Sequence, residues 1–80
     1  MKLEKLHQSG SITYYQFVDD VGDPLGLVRF DLYSTSPGSR VVSVELCNAT
    51  TLFRWREIAR LKASKDLEGL VEKLLRGLGL

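Results

Sequence analysis

The spacing of the apolar residues changes from one period to another along the chain, and this change restricts the possible folds more than any other feature. The stretches SITYYQFVD (11–19), LGLVRFDLY (25–33) and RVVSVELC (40–47) alternate with period two and are rich in β-branched and aromatic residues, as strands are. The segment after Ser64 instead repeats every three or four residues, as an amphipathic helix does. The residues that form this repeat are Leu67, Leu70, Val71, Leu74, Leu75 and Leu78. The sequence therefore predicts an α+β domain.

Residues that favour turns and helix ends mark the boundaries of these elements. Ser64 is a suitable N-cap for the predicted helix, and Gly77 suits the position just after a helix. Residues 19–24 are rich in aspartate, glycine and proline, and Pro37-Gly38 suits the centre of a type II turn. Connections this short join neighbouring strands that run in opposite directions, so we expect an antiparallel meander.

The stretch LFRWREIARLKA (52–63) fits a helix and a strand about equally well by periodicity. A helix here would make the fold βββαα. A strand would make it ββββα, and charged residues would then meet charged residues, and apolar residues apolar ones, across a hairpin with residues 40–47. The predicted partners are Glu45 with Arg54, Leu46 with Phe53 and Val44 with Trp55. The same register aligns Tyr14 and Arg29 with Glu45, and Tyr15 and Val28 with Leu46.

We therefore predict a four-stranded antiparallel meander followed by one C-terminal helix packed on one face, ββββα, with βββαα as the alternative. The 80 residues are expected to form a single domain, with residues 1–10 frayed. Ala49-Thr50 is poor chemistry for a tight turn, which indicates a longer loop before the fourth strand. The predicted core contains Tyr15, Phe17, Val28, Phe30, Leu32, Val42, Val44, Leu46, Phe53, Trp55 and the helix leucines.

The sequence contains no arrangement of residues that indicates catalysis. His7 has no Ser, Cys or carboxylate in a recognisable sequence relation to it, and Cys47 is the one cysteine. Asp19, Asp20 and Asp23 do not have the spacing of a calcium loop, and we interpret them as turn residues. We therefore predict a non-enzymatic protein with no cofactor and no metal site. The lack of a signal-peptide pattern and of a long apolar segment predicts a cytoplasmic protein that does not interact with membranes.

Binding to another protein is the function that the sequence favours. One helix covers only one face of a four-stranded sheet, and exposed apolar patches often mark interfaces. The apolar residues expected on the other face are chiefly Ile12, Tyr14, Leu27, Tyr33 and Val41. We therefore predict a small regulatory module that acts through protein–protein interaction and forms a homodimer. The preferred contact is the free edge of the first predicted strand, residues 11–19, which is apolar on both sides.

The alternative function is the binding of single-stranded nucleic acid. The cations that would share one face of the fourth predicted strand are Arg54, Arg56, Arg60 and Lys62. Such a stripe can follow a phosphate backbone, while Tyr14 and Tyr33 offer surfaces on which bases stack. The element order ββββα also resembles that of the Whirly single-strand binders, which dimerise, and this resemblance implies a dimer that binds single strands.

Overall fold

The computed structural model describes residues 1–36 and 39–79, which form one antiparallel sheet of five strands and one C-terminal α-helix. The elements are β1 (Lys2–Ser9), β2 (Ile12–Val18), β3 (Pro24–Ser36), β4 (Ser39–Cys47), β5 (Arg56–Lys62) and α1 (Leu67–Gly77). The strands lie across the sheet in chain order. The predicted α+β class is therefore confirmed, but the sheet has five strands and not four. The predicted turn at Pro37-Gly38 lies outside the described residues.

The additional strand is β1, which pairs with β2 along its length. The expectation that residues 1–10 are frayed is therefore wrong. Only Leu3 of β1 is buried, opposite Phe17, because β1 is an edge strand whose other side chains face solvent. A strand that buries only one residue shows no apolar alternation, so its sequence does not indicate a strand.

The three central strands have the predicted register. Tyr14 lies opposite Arg29, and Arg29 lies opposite Glu45. The next row contains Tyr15, Val28 and Leu46, as predicted. The turn before β3 is also confirmed, because the Asp19 carboxylate accepts hydrogen bonds from the backbone N–H groups of Val21 and Asp23. These pairings fix which side chains lie on each face of the sheet.

The predicted fourth strand is present as β5, but it is shorter than residues 52–63 and its register differs from the prediction. The observed pairs are Leu46 with Arg56, Glu45 with Glu57 and Val44 with Ala59. Ile58 is an extra residue between the last two pairs, which makes it a β-bulge. Residues 52–55 lie outside the strand because the loop after β4 is longer than a tight turn, as Ala49-Thr50 indicated.

The buried core lies between α1 and one face of the sheet. Its buried members are Leu3, Tyr15, Phe17, Val28, Phe30, Val42, Val44, Leu46, Val71 and Leu75. Seven of the predicted sheet residues are among them, but three predictions are wrong. Leu32 is partly exposed at the edge of the core, Phe53 is exposed in the loop, and Trp55 lies on the opposite face of the sheet.

Helix α1 begins and ends slightly later than predicted. Asp66 and not Ser64 occupies the N-cap position. Gly77 is the last helical residue, and Gly79 has the left-handed conformation, with φ of 79°, that commonly follows a helix. Val71 and Leu75 are buried, whereas Leu70 and Leu78 face solvent, so only one stripe of the leucine repeat contacts the sheet.

Two hydrogen bonds to glutamates of α1 connect the helix to the first two strands. The Tyr15 hydroxyl donates to Glu68 Oε1 at 2.9 Å, and the Leu3 backbone N–H donates to Glu72 Oε1 at 3.1 Å. Burial of the phenol, reinforced by its hydrogen bond to Glu68, raises the pKa of Tyr15 to about 12. A phenol in an unfolded chain has a pKa near 10, so the folded state holds this proton more tightly.

This shift predicts a loss of stability in alkaline solution. The contribution of Tyr15 is fully present below about pH 10 and is lost as the pH rises through about 12, because the folded state disfavours the phenolate. We expect the free energy of unfolding, measured in urea, to fall more steeply over this range for the wild type than for Tyr15→Phe. Equal slopes for the two proteins would contradict the assignment.

Candidate functional site

The face of the sheet opposite α1, called the outer face here, is covered by no other element among the described residues. Alternation along the strands places all five predicted partner-binding residues on it. The structure brings them into two groups. Tyr14 and Leu27 line one depression, whereas Tyr33 and Val41 form a cross-strand pair nearer the β3–β4 end. Ile12 lies between these groups, opposite Asp31.

A chain of stacked rings and one ion pair crosses the middle of the outer face. The His7 ring stacks on Tyr14 with a centroid distance of 6.2 Å, and Tyr14 meets the edge of Trp55 at 6.0 Å. The Arg29 guanidinium lies 4.4 Å from the centroid of the Trp55 ring. Arg29 also donates two hydrogen bonds to Glu45, at 2.9 and 3.1 Å. These contacts hold the Tyr14 and Trp55 rings from two sides each.

The charge of Arg29 is compensated within the chain. Its hydrogen bonds to Glu45 raise the pKa of Arg29 above its ordinary value, so the guanidinium stays charged. Both side chains are mostly buried, and the guanidinium is further covered by the indole of Trp55. The middle of the outer face is therefore nearly neutral.

Two shallow depressions lie beside this row of stacked rings, and both are lined by apolar side chains. The first is lined by Leu6, His7, Ser9, Tyr14 and Leu27 and has a volume of about 490 Å³. The second has a volume of about 360 Å³, and Leu25, Leu27, Cys47 and Phe53 are among its lining residues. Leu27 borders both, so the two are adjacent. We call the apolar residues around them the Leu27 patch: Leu6, Tyr14, Leu25, Leu27 and Phe53.

Much of the Leu27 patch is open to solvent. Phe53 is 75% exposed, Leu6 is 54% exposed and Leu27 is 38% exposed. Single exposed leucines are common on protein surfaces, but contiguous ones with an exposed phenylalanine are less so. The patch is therefore the candidate binding surface of this domain.

The loop between β4 and β5 sets the position of Phe53. The Asn48 side chain accepts from the Thr51 backbone N–H at 3.2 Å, and the Thr51 hydroxyl accepts from the Asn48 N–H at 3.0 Å, both buried. The chain then enters the left-handed region at Leu52 and Phe53, with φ of 56° and 58°. This conformation is unfavourable for bulky non-glycine residues, so the loop presents Phe53 at some energetic cost.

The four predicted nucleic-acid-binding cations do not form one stripe. Arg54 lies in the loop before β5, and Arg56 pairs with Leu46, a residue of the helix-covered face. Arg60 and Lys62 lie on the outer face, and Arg60 is bonded to Glu57. The bulge at Ile58 is the cause, because one extra residue reverses the alternation of side chains between Arg56 and Arg60.

Sequence reasoning did not find Leu6, His7 or the exposed position of Phe53. The first two were missed because the N-terminal residues were treated as frayed. Gly10-Ser11 was a usable signal, since a glycine-serine pair between two strands is typical of a two-residue hairpin turn. The position of Phe53 depends on left-handed backbone at Leu52 and Phe53, which neither residue type indicates.

No known protein family, curated protein or solved structure matches the chain. Within residues 1–36 and 39–79, no helix is long and apolar enough to cross a membrane. In the same part of the chain, no group of three or more His, Cys, Asp or Glu side chains is arranged to hold a metal ion.

Proposed function

We propose that this domain is a small non-enzymatic binding module that acts through protein–protein interaction and associates with a second copy of itself through the outer face. The observation that carries the proposal is the Leu27 patch, whose apolar side chains are exposed on a sheet face that no other described element covers. Burying such a patch is favourable, and two-fold self-association is the commonest way in which oligomers do so.

The outer face is a better candidate than the sheet edge that the sequence predicted. The strand expected to be a free edge, residues 11–19, is β2, which is paired on both sides. The edge on this side of the sheet is instead β1, which has a bulge at Leu6 and whose Leu3 N–H is already bonded to Glu72 of α1. Both features hinder pairing with another strand.

Charge also favours contact between outer faces. Face-to-face packing was expected to bring Arg54 and Arg56 toward like charges, but Arg54 lies in the loop before β5, and Arg56 pairs with Leu46 of the helix-covered face. Its ion pairs, Arg29 with Glu45 and Arg60 with Glu57, are each neutralised within one copy. Two copies can therefore approach without repulsion between these groups.

Binding of single-stranded nucleic acid is the less favoured function. It is supported by the exposed cations Arg60 and Lys62 on the outer face, but the stripe is interrupted and Arg60 is paired with Glu57. Phosphate contacts are strongest at low salt, so the function is rejected if no oligonucleotide binds at about 50 mM salt.

A regulatory role in the cytoplasm is part of the proposal and is consistent with a single free cysteine, Cys47.

Replacement of Leu27 by lysine tests the proposed association. We expect the wild type to sediment as a dimer within about 1 to 100 μM, and Leu27→Lys to weaken the dimer by about tenfold or more, because an unpaired ammonium would enter the contact. Val21→Lys is the matched control, since Val21 is 86% exposed but lies in the turn before β3, outside the patch. A wild type that stays monomeric at the highest concentration refutes the proposal.

A further inference from the structure

We propose that the contact between two copies is a reciprocal insertion, in which Phe53 of each copy enters the depression lined by Leu6, Tyr14 and Leu27 of the other. This inference rests on the proposed self-association and specifies its geometry. Phe53 is suited to insert into a partner because it is the most exposed aromatic residue of the patch and lies at its rim. We call Phe53 the anchor.

The loop holds the anchor in place before any contact forms. The Phe53 N–H donates to the Asn48 carbonyl at 2.8 Å, and Asn48 is itself fixed by the buried hydrogen bonds with Thr51. A loop whose backbone is already ordered loses less freedom on binding than a mobile one. The left-handed backbone at Leu52 and Phe53 is kept despite its cost, which points to a use for the exposed phenylalanine.

The depression has the size and the chemistry to receive a phenyl ring. Its volume of about 490 Å³ exceeds the roughly 150 Å³ of a cavity that holds benzene. Leu6 and Leu27 supply aliphatic walls, and Tyr14 supplies an aromatic surface that can meet an incoming ring edge to face. Tyr14 is already held between His7 and Trp55, so the wall is rigid.

Symmetry indicates a second copy as the occupant. Leu27 borders both this depression and the second depression, which Phe53 lines. A two-fold axis close to Leu27 therefore places the anchor of each copy at the first depression of the other. The surface is then complementary to itself, as a two-fold contact requires. Charge agrees, because Arg54 follows the anchor, while Glu4 is exposed on β1 two residues before Leu6.

Glycine substitutions in the loop separate association from folding. Phe53→Gly removes the anchor and relieves the left-handed backbone, so the monomer should remain folded. Leu52→Gly is the matched control, since Leu52 has the same backbone conformation and a similar exposure but lies outside the patch. By sedimentation we expect Phe53→Gly to weaken the dimer by about tenfold or more and Leu52→Gly to keep wild-type association.

The outcomes distinguish this inference from the proposal on which it rests. A monomeric wild type overturns both. If the wild type is dimeric and Phe53→Gly is equally dimeric, only the reciprocal insertion is overturned. Association through the outer face is then tested by Leu27→Lys alone.

Mixing two variants tests reciprocity directly. Leu6→Lys blocks the depression but keeps the anchor, and Phe53→Gly keeps the depression but lacks the anchor. At a concentration where the wild type is a dimer, each variant alone should be mainly monomeric, whereas a mixture should form a heterodimer through the one remaining insertion, weaker than the wild-type dimer. If the mixture contains only monomers at the highest concentration, the insertion is not reciprocal and the inference fails.

Discussion

Phe17→Ala is expected to lower the free energy of unfolding by about 3 to 5 kcal/mol, whereas Phe53→Ala should change it by no more than about 0.5 kcal/mol. Phe17 is fully buried in the core, and Phe53 is 75% exposed in the loop after β4. The Phe17 ring packs so closely against the backbone of Gly26 that a Cβ atom added to Gly26 would lie 2.8 Å from the ring. Removing the ring therefore leaves a cavity, and the expected cost includes it.

This difference is large compared with the total stability of the domain. A chain of 80 residues is stabilised by roughly 4 to 12 kcal/mol, so Phe17→Ala removes a substantial part of it. Both substitutions should be measured by urea denaturation in a Leu27→Lys background, where association does not contribute. Equal losses at the two positions would show that Phe53 is buried, as its predicted place in the strand required.

The sequence was sufficient to predict the central part of the sheet. β2, β3 and β4 are buried on one face, so their apolar alternation is strong, and cross-strand pairs such as Arg29 with Glu45 fix their register. The helix was predicted for the same reason, because Val71 and Leu75 need an apolar surface to pack against. Buried faces leave a periodic pattern in the sequence, and the predictions are correct where such a face exists.

The edges of the sheet could not be predicted in this way. β1 buries only Leu3, and β5 contains a bulge at Ile58, so neither strand keeps a regular alternation. The loop after β4 depends on hydrogen bonds between Asn48 and Thr51 and on left-handed backbone at Leu52. Asparagine is common in ordinary turns as well, and leucine rarely adopts this conformation, so the pair does not identify the loop.

The candidate site was predicted in part for a related reason. Tyr14 and Leu27 belong to central strands whose register was correct, so they were assigned to the outer face. Leu6 and Phe53 belong to an edge strand and to the irregular loop, where the period was uninformative. Trp55 was placed in the core because the predicted register differs by three residues from the observed one at Glu45 and Leu46, and the bulge at Ile58 adds one more residue at Val44.

The docking of α1 depends on one stripe of its leucine repeat. Leu75 is fully buried against the sheet together with Val71, whereas Leu70, on the same helix, is 44% exposed. The two hydrogen bonds that Glu68 and Glu72 accept from Tyr15 and Leu3 of the strands are partly buried and contribute less than the apolar contact. Removing a buried leucine should therefore affect stability far more than removing an exposed one.

Leu75→Ala is expected to lower the free energy of unfolding by about 2 to 5 kcal/mol, because the sheet closes only partly around the cavity. Leu70→Ala is the matched control: the same substitution in the same helix changes helix propensity equally and should cost less than about 1 kcal/mol. Urea denaturation of the two variants, again in the Leu27→Lys background, measures the difference. If Leu70→Ala costs as much as Leu75→Ala, α1 is rotated relative to the docking described here, and the sheet face that it leaves open must be assigned again.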